Sequence, residues 1–164
     1  GSGSFVSERS GSIPREAMLW SYHRELENYE DLYDARRLIE TTVYLACFDN
    51  KTDEVIEQLK AYADELLNLD AITASAEEFN TVIDRIDTYV GEHCGNGIYA
   101  KLMQTMIVLR QSSSLRILEI PSSRQSATLW RIKILNAFGQ NDRKRLESTL
   151  DGFFTNSISE VMQF

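Results

Sequence analysis

One stretch of this chain writes out a helix together with both of its ends. Ser75-Ala76-Glu77-Glu78 forms a capping box: the serine hydroxyl suits the third helical N–H, and the glutamate three residues on suits the serine's own N–H. The run that follows, Glu78 to His93, is amphipathic, with Ile83, Asp87 and Val90 on one side. Gly95-Asn96 closes it with residues that tolerate a left-handed C-terminal turn. A helix with an apolar stripe has to bury that stripe on other elements. What the rest of the chain supplies therefore decides the fold.

The rest supplies more helices. Two prolines and eight glycines in 164 residues leave room for long ones. Pro14 suits a first helical turn, and Ala17-Met18-Leu19-Trp20 with Tyr22 and Leu26 makes a short apolar stripe. From Glu30 to Phe48, Leu32, Arg36, Ile39, Val43 and Cys47 recur at helical spacing, and Asp49-Asn50-Lys51 breaks the run. Thr52 is the expected N-cap of a third helix reaching about Leu69, with Asp53 and Glu54 suited to the first-turn dipole. The capping box opens the fourth. A fifth runs from about Ile98 to Ile117, and Pro121-Ser122-Ser123 punctuates the chain. The sixth ends at Phe138 before Gly139-Gln140-Asn141. Asp142 opens the seventh, whose inner side carries Leu146, Leu150, Phe153, Phe154 and Val161. Neither strand alternation nor an internal repeat is evident. The expected fold is all-α, an antiparallel bundle of six to seven helices over residues 30–160.

Residues 1–12 read as a polar linker, and residues 13–164 as one helical domain. Gly1-Ser2-Gly3-Ser4 fits an expression scar. With Phe5-Val6 it equally resembles the Gly-x-Gly-Ser/Thr-Phe-Val run that often ends the wing hairpin of GntR-type winged-helix domains.

Charge and composition exclude several functions. A formal net charge of −8 argues against nucleic-acid binding by this piece alone, because phosphate contacts need clustered Lys and Arg. It argues as much against a strongly acidic partner. The two cysteines, Cys47 and Cys94, form no CxxC pattern and fall on or beside apolar helix faces, as buried reduced thiols of a cytoplasmic protein do. No signal peptide is visible, and no apolar run approaches the ~20 residues that span a membrane. Without a Ser/His/Asp or Cys/His set, a phosphate loop or a metal cluster, the chain does not read as an enzyme.

Three local patterns, in this order and spacing, carry a family resemblance over roughly residues 30–157. They are Asp31-Leu32-Tyr33-Asp34-Ala35-Arg36-Arg37-Leu38-Ile39-Glu40, the turn at Gly95-Asn96, and Ile134-Leu135-Asn136-Ala137-Phe138 followed by Asp142 and Leu146. Together they resemble the ligand-sensing domain (FadR C-terminal, or FCD) of GntR-type bacterial transcription regulators. The resemblance implies an effector-sensing and dimerisation domain, with DNA held by a winged-helix domain that this chain lacks. It implies a homodimer; Met18, Leu19, Trp20 and Tyr22 are a candidate contact that would otherwise pack within their own chain.

Many members bind a metal through one Asp and three His. Those positions fall here at Ile83, Asp87, Arg131 and Phe153. Isoleucine and phenylalanine offer no lone pair, and arginine stays protonated. One carboxylate is not a transition-metal site, so no metal and no other cofactor is expected. His23 and His93 lie outside the matched positions and suit surface or cap roles.

Asp87 and Arg131 have two readings. They pair with each other and replace the brace a metal supplied, or they engage a ligand. Arg36 sits on an apolar face and needs an anion. Glu40 one turn on satisfies it, or an effector does. Arg110, beside Met103, Met106 and Ile107, has the same ambiguity. Arginines converging on one cavity with Asp87 would favour a carboxylate or phosphate effector, since a guanidinium binds such groups through two parallel bonds. The alternative is a helical interaction and dimerisation module with no small-molecule ligand.

Overall fold

The computed structural model describes residues 14–164. The segment 1–12, read above as linker with a wing remnant or scar, lies outside the described residues. Among those described, seven α-helices are present and no strand: α1 Arg15–Tyr22, α2 Tyr29–Asp49, α3 Asp53–Leu67, α4 Ala76–Glu92, α5 Gly97–Leu118, α6 Pro121–Gly139 and α7 Arg143–Val161. A 3-10 turn, Glu25–Glu27, joins α1 to α2.

Short polar side chains set where the helices begin. The Val55 amide donates to Thr52 Oγ1 at 3.3 Å. The capping box is complete, with the Glu78 amide 3.1 Å from Ser75 Oγ and the Ser75 amide 2.7 Å from Glu78 Oε2. Asn28, Asn96 and Asp142 cap α2, α5 and α7 in the same way. Each satisfies N–H groups that have no partner within the helix. Gly95 holds φ +80°, and a Cβ there would meet the Asn50 amide at 2.9 Å. Glycine alone turns α4 into α5 this tightly.

The amino-terminal stripe behaves differently from its reading. Pro14 is the N-cap of α1 rather than its first turn, and α1 stops at Tyr22. Only Met18 in α1 is buried, while Trp20 and Tyr22 are exposed. One buried residue and no side-chain cap give so short a helix little to lengthen it.

Helix α2 occupies the middle, packed on α4, α5 and α7, while α6 lies against α3 and α7. The main core is built from side chains such as Leu59, Leu66, Phe79, Ile86, Phe138 and Leu146. A smaller cluster of Met18, Leu32, Tyr33, Met106, Leu109, Ile117 and Val161 fastens α1 and the amino-terminal half of α2 to α5. Among these apolar groups the centre also carries buried Arg36, Glu40, Asp87, Arg110 and Arg131.

Candidate functional site

Helical spacing turns Asp87 inward beside Ile83 and Val90, and it is 0% exposed. Such a carboxylate needs donors, and three helices supply them. The Tyr44 hydroxyl of α2 donates to Oδ1 at 2.6 Å, Arg131 Nη1 of α6 donates to Oδ1 at 3.1 Å, and Arg110 Nη2 of α5 donates to Oδ2 at 2.9 Å. Burial is the largest influence on its pKa and pushes it up. Arg131 and Arg110, then the Tyr44 bond and the field of Arg36, outweigh it and hold the carboxyl down at about 2. Asp87 is therefore an anion. Burial and the Asp87 charge raise the Tyr44 hydroxyl, which stays a donor.

Arg110 is 0% exposed and faces a second carboxylate. Its Nη2 lies 2.8 Å from Asp84 Oδ1, an ion contact outside hydrogen-bond geometry. Asn80 and Gln111 complete this edge: Gln111 Nε2 donates to Asp84 Oδ2 at 2.8 Å, and Asn80 Nδ2 to Gln111 Oε1 at 2.7 Å.

Arg36 meets Glu40 one turn on, with Nε 2.6 Å from Oε2 and Nη2 3.3 Å from Oε1. The guanidinium also lies 4.7 Å above the Tyr33 ring. Burial alone would lower its pKa, but Glu40 and the other neighbours raise it. Arg36, Glu40 and Tyr44 thus stand on successive turns of α2 and lead to Asp87.

A cavity of about 40 Å³ lies beside this cluster. Arg36 and Arg131 line it together, and Ile83 and Phe153 form its apolar wall. Ser114, Ser157 and Glu160 bring polar groups to it. Of the four sequence-derived candidates, then, Arg36 and Arg131 share the cavity. Asp87 stands behind Arg131, and Arg110 is engaged by Asp87 and Asp84 away from the lining. Arg131 gives Nη1 to Asp87, while its Nε is buried with no acceptor.

The four family metal positions do not fit a metal ion. Ile83 and Phe153 have no donor atom, Arg131 is a cation, and both Asp87 oxygens already accept bonds. No group of three or more His, Cys, Asp or Glu suited to a metal occurs among the described residues. His93 is the C-cap of α4, its Nδ1 2.8 Å from the Tyr89 carbonyl, and His23 makes the same kind of contact to Trp20. Both thiols are buried and free.

Sequence reasoning missed Tyr44, Asn80, Asp84, Gln111 and Glu160. Tyr44 carried a signal in its place two turns after Arg36. Asp84, Gln111 and Glu160 carry none, being polar residues at half-exposed positions, and Asn80 is buried at 5% exposure yet reads in sequence as a surface amide.

A family model described as the FCD domain matches residues 31–155. No curated protein and no solved structure matches. The matched stretch runs from α2 into α7 and includes the charge cluster; Ser157 and Glu160 lie beyond it. No helix among the described residues is long and apolar enough to cross a membrane.

Proposed function

The chain belongs to the FCD domain family, the C-terminal regulatory domain of GntR-type transcription regulators, and from that premise we propose that it senses a small anionic metabolite. Binding would shift the relative placement of two copies in a dimer, and with them the winged-helix domains that hold DNA. The observation that carries the anion reading is the pair Arg36 and Arg131 on one cavity, with Arg131 Nε buried and without an acceptor. An unsatisfied buried N–H is costly unless something fills it. Arg36 is taken by Glu40, and Arg110 by Asp87 and Asp84, so Arg131, which gives Nη1 to Asp87 and has no acceptor for Nε, is the cavity-lining guanidinium with bonding capacity left for a further anion.

Titration calorimetry with acetate and with inorganic phosphate tests this. At least one anion is expected to bind, and Arg131→Gln to weaken it by at least about tenfold. Failure of both anions to bind at millimolar concentration would sink the reading. A dimeric mass by light scattering at micromolar concentration is expected for the assembly.

A second reading, an interaction module without a small ligand, is favoured by the size of the cavity. Ile83 and Phe153 fill space that a larger effector would need, and exposed Trp20, Tyr22 and Ile98 offer apolar contacts.

A further inference from the structure

Arg110 stands between two carboxylates and satisfies them unequally. Its Nη2 donates to Asp87 Oδ2 at 2.9 Å in the core. The same nitrogen lies 2.8 Å from Asp84 Oδ1 at the edge of α4, outside hydrogen-bond geometry. Two atoms are left over. Asp84 Oδ1 and Arg110 Nε are both buried, and neither has a hydrogen-bond partner. Nearly all buried polar atoms of native proteins are paired, and leaving one unpaired is costly.

The two leftover atoms are an acceptor and a donor of one ion contact. Turning the guanidinium, a rigid fork of five N–H groups, so that Nε–H faces Asp84 would pair them. The same turn takes Nη2 from Asp87 Oδ2, because Tyr44 and Arg131 both bond Oδ1. Each arrangement satisfies what the other leaves open. Packed sites of this kind move between discrete positions rather than deform continuously.

Asp84 is also the joint to a second region. Gln111 Nε2 donates to Asp84 Oδ2 at 2.8 Å. Gln111 lines a groove of about 650 Å³ between α1 and α5, together with Arg15, Leu19 and His23 of α1. Helix α1 is lightly held, with Met18 as its buried residue. It precedes the family match at residues 31–155, on the side where a C-terminal regulatory domain joins the rest of its regulator.

We propose that Arg110 is a two-position switch, bonded to Asp87 in one position and to Asp84 in the other, that ties the charge inside the bundle to the seating of α1 through Gln111. With Arg110 on Asp84, Asp84 and Gln111 are drawn inward and the wall of the groove moves with them. A weaker charge at Asp87 shifts the balance that way. An anion that draws Arg131 from Asp87 fastens Arg110 to Asp87 instead.

Nuclear magnetic resonance tests both halves. The Arg110 Nε–Hε signal, identified by its loss in Arg110→Lys, reads the position of the guanidinium. Asp84→Ala leaves Arg110 to Asp87 with Nε unpaired. Asp87→Asn favours Asp84, and the proton is expected to move downfield as it meets Oδ1, with the wild type between the two variants. The Met18 methyl reads α1. In Asp84→Ala and Gln111→Ala it is expected to shift toward the signal of Met162, which is 57% exposed, and the double variant is expected to shift no further.

One unmoved Arg110 signal in wild type, Asp84→Ala and Asp87→Asn would overturn the switch. An unmoved Met18 signal in Asp84→Ala and Gln111→Ala would overturn its link to α1. If Asp87→Asn does not fold, Asp84→Ala decides alone, because the Asp84 side chain is 28% exposed: a wild-type proton downfield of the variant supports the switch, and coincident signals overturn it. No anion is added in these measurements, so failure of the switch and failure of anion sensing are told apart.

Discussion

Asp87 accepts from donors that lie 43, 23 and 44 residues away in the chain, on three other helices. Tyr44→Phe removes the shortest of these bonds, 2.6 Å to an ionised oxygen. Bonds of that kind contribute roughly 1.5–3 kcal/mol, so denaturant unfolding should lose about that much with its m-value unchanged. Arg36→Ala behaves differently, because it strands Glu40 at 2% exposure. Breaking a buried pair from one side costs roughly 3–5 kcal/mol. Arg36→Met with Glu40→Leu should recover most of that, and a double variant as unstable as the single would contradict the pairing. The sequence made part of this legible. Inward charges at Arg36, Asp87, Arg110 and Arg131 show in helical spacing, as does Glu40 one turn from Arg36. Which cation meets which anion depends on how helices distant in sequence are set against each other, and no local pattern encodes that. Tyr44 had its place two turns after Arg36 as a signal, but on an apolar face a tyrosine reads as core until a buried acceptor is seen opposite its hydroxyl.

The helices themselves were far more legible, because their ends are written in neighbouring residues. Thr52, Ser75 and Asp142 act within three or four positions of themselves, so no tertiary knowledge is needed to recognise them; Asn96, read as the close of α4, instead caps the start of α5 with an extended backbone. Ser75→Ala should cost about 1 kcal/mol, the usual loss for an N-cap, as a lower melting temperature with unchanged helical content at 20 °C or so. Gly95→Ala should cost more than about 1 kcal/mol, since an L-residue is strained at φ +80° and its Cβ would press on Asn50. Asn50 cannot move freely: its amide bonds the carbonyls of Ala46 and Cys94 at 2.9 and 3.1 Å and so ties the end of α2 to this turn. Helix α1 shows the limit of local reading. Its apolar stripe extends in sequence to Leu26, but burial reaches only Met18 within the helix. Periodicity reports which face is apolar and says nothing of whether a partner covers it.

At the scale of the whole molecule, Asp87 joins α2, α4, α5 and α6 at one point inside the bundle. The replacement set of Asp87, Arg131, Ile83 and Phe153 combines an ion pair with apolar packing, and a brace built this way depends on protonation rather than on metal. Addition of a chelator should leave the melting temperature unchanged, and elemental analysis should find no stoichiometric Zn, Ni or Mn; one tightly held ion per chain, lost with Asp87→Ala, would refute this. The dependence on pH has a definite sign. The folded carboxyl sits at about 2 against an ordinary value of 3.8. Its contribution is therefore fully present above about pH 3.8 and is lost as pH falls through about 2. That difference corresponds to about 2 kcal/mol, at 1.36 kcal/mol per pH unit. Other carboxylates add to acid unfolding, so the informative quantity is the difference between wild type and Asp87→Asn. The variant is less stable at pH 7, because Arg110 and Arg131 lose their anion. Between about pH 4 and pH 2 it should shed about 2 kcal/mol less than the wild type, narrowing the gap between them. Parallel acid-stability curves over that interval would mean that Asp87 is not held as a buried anion by its two arginines.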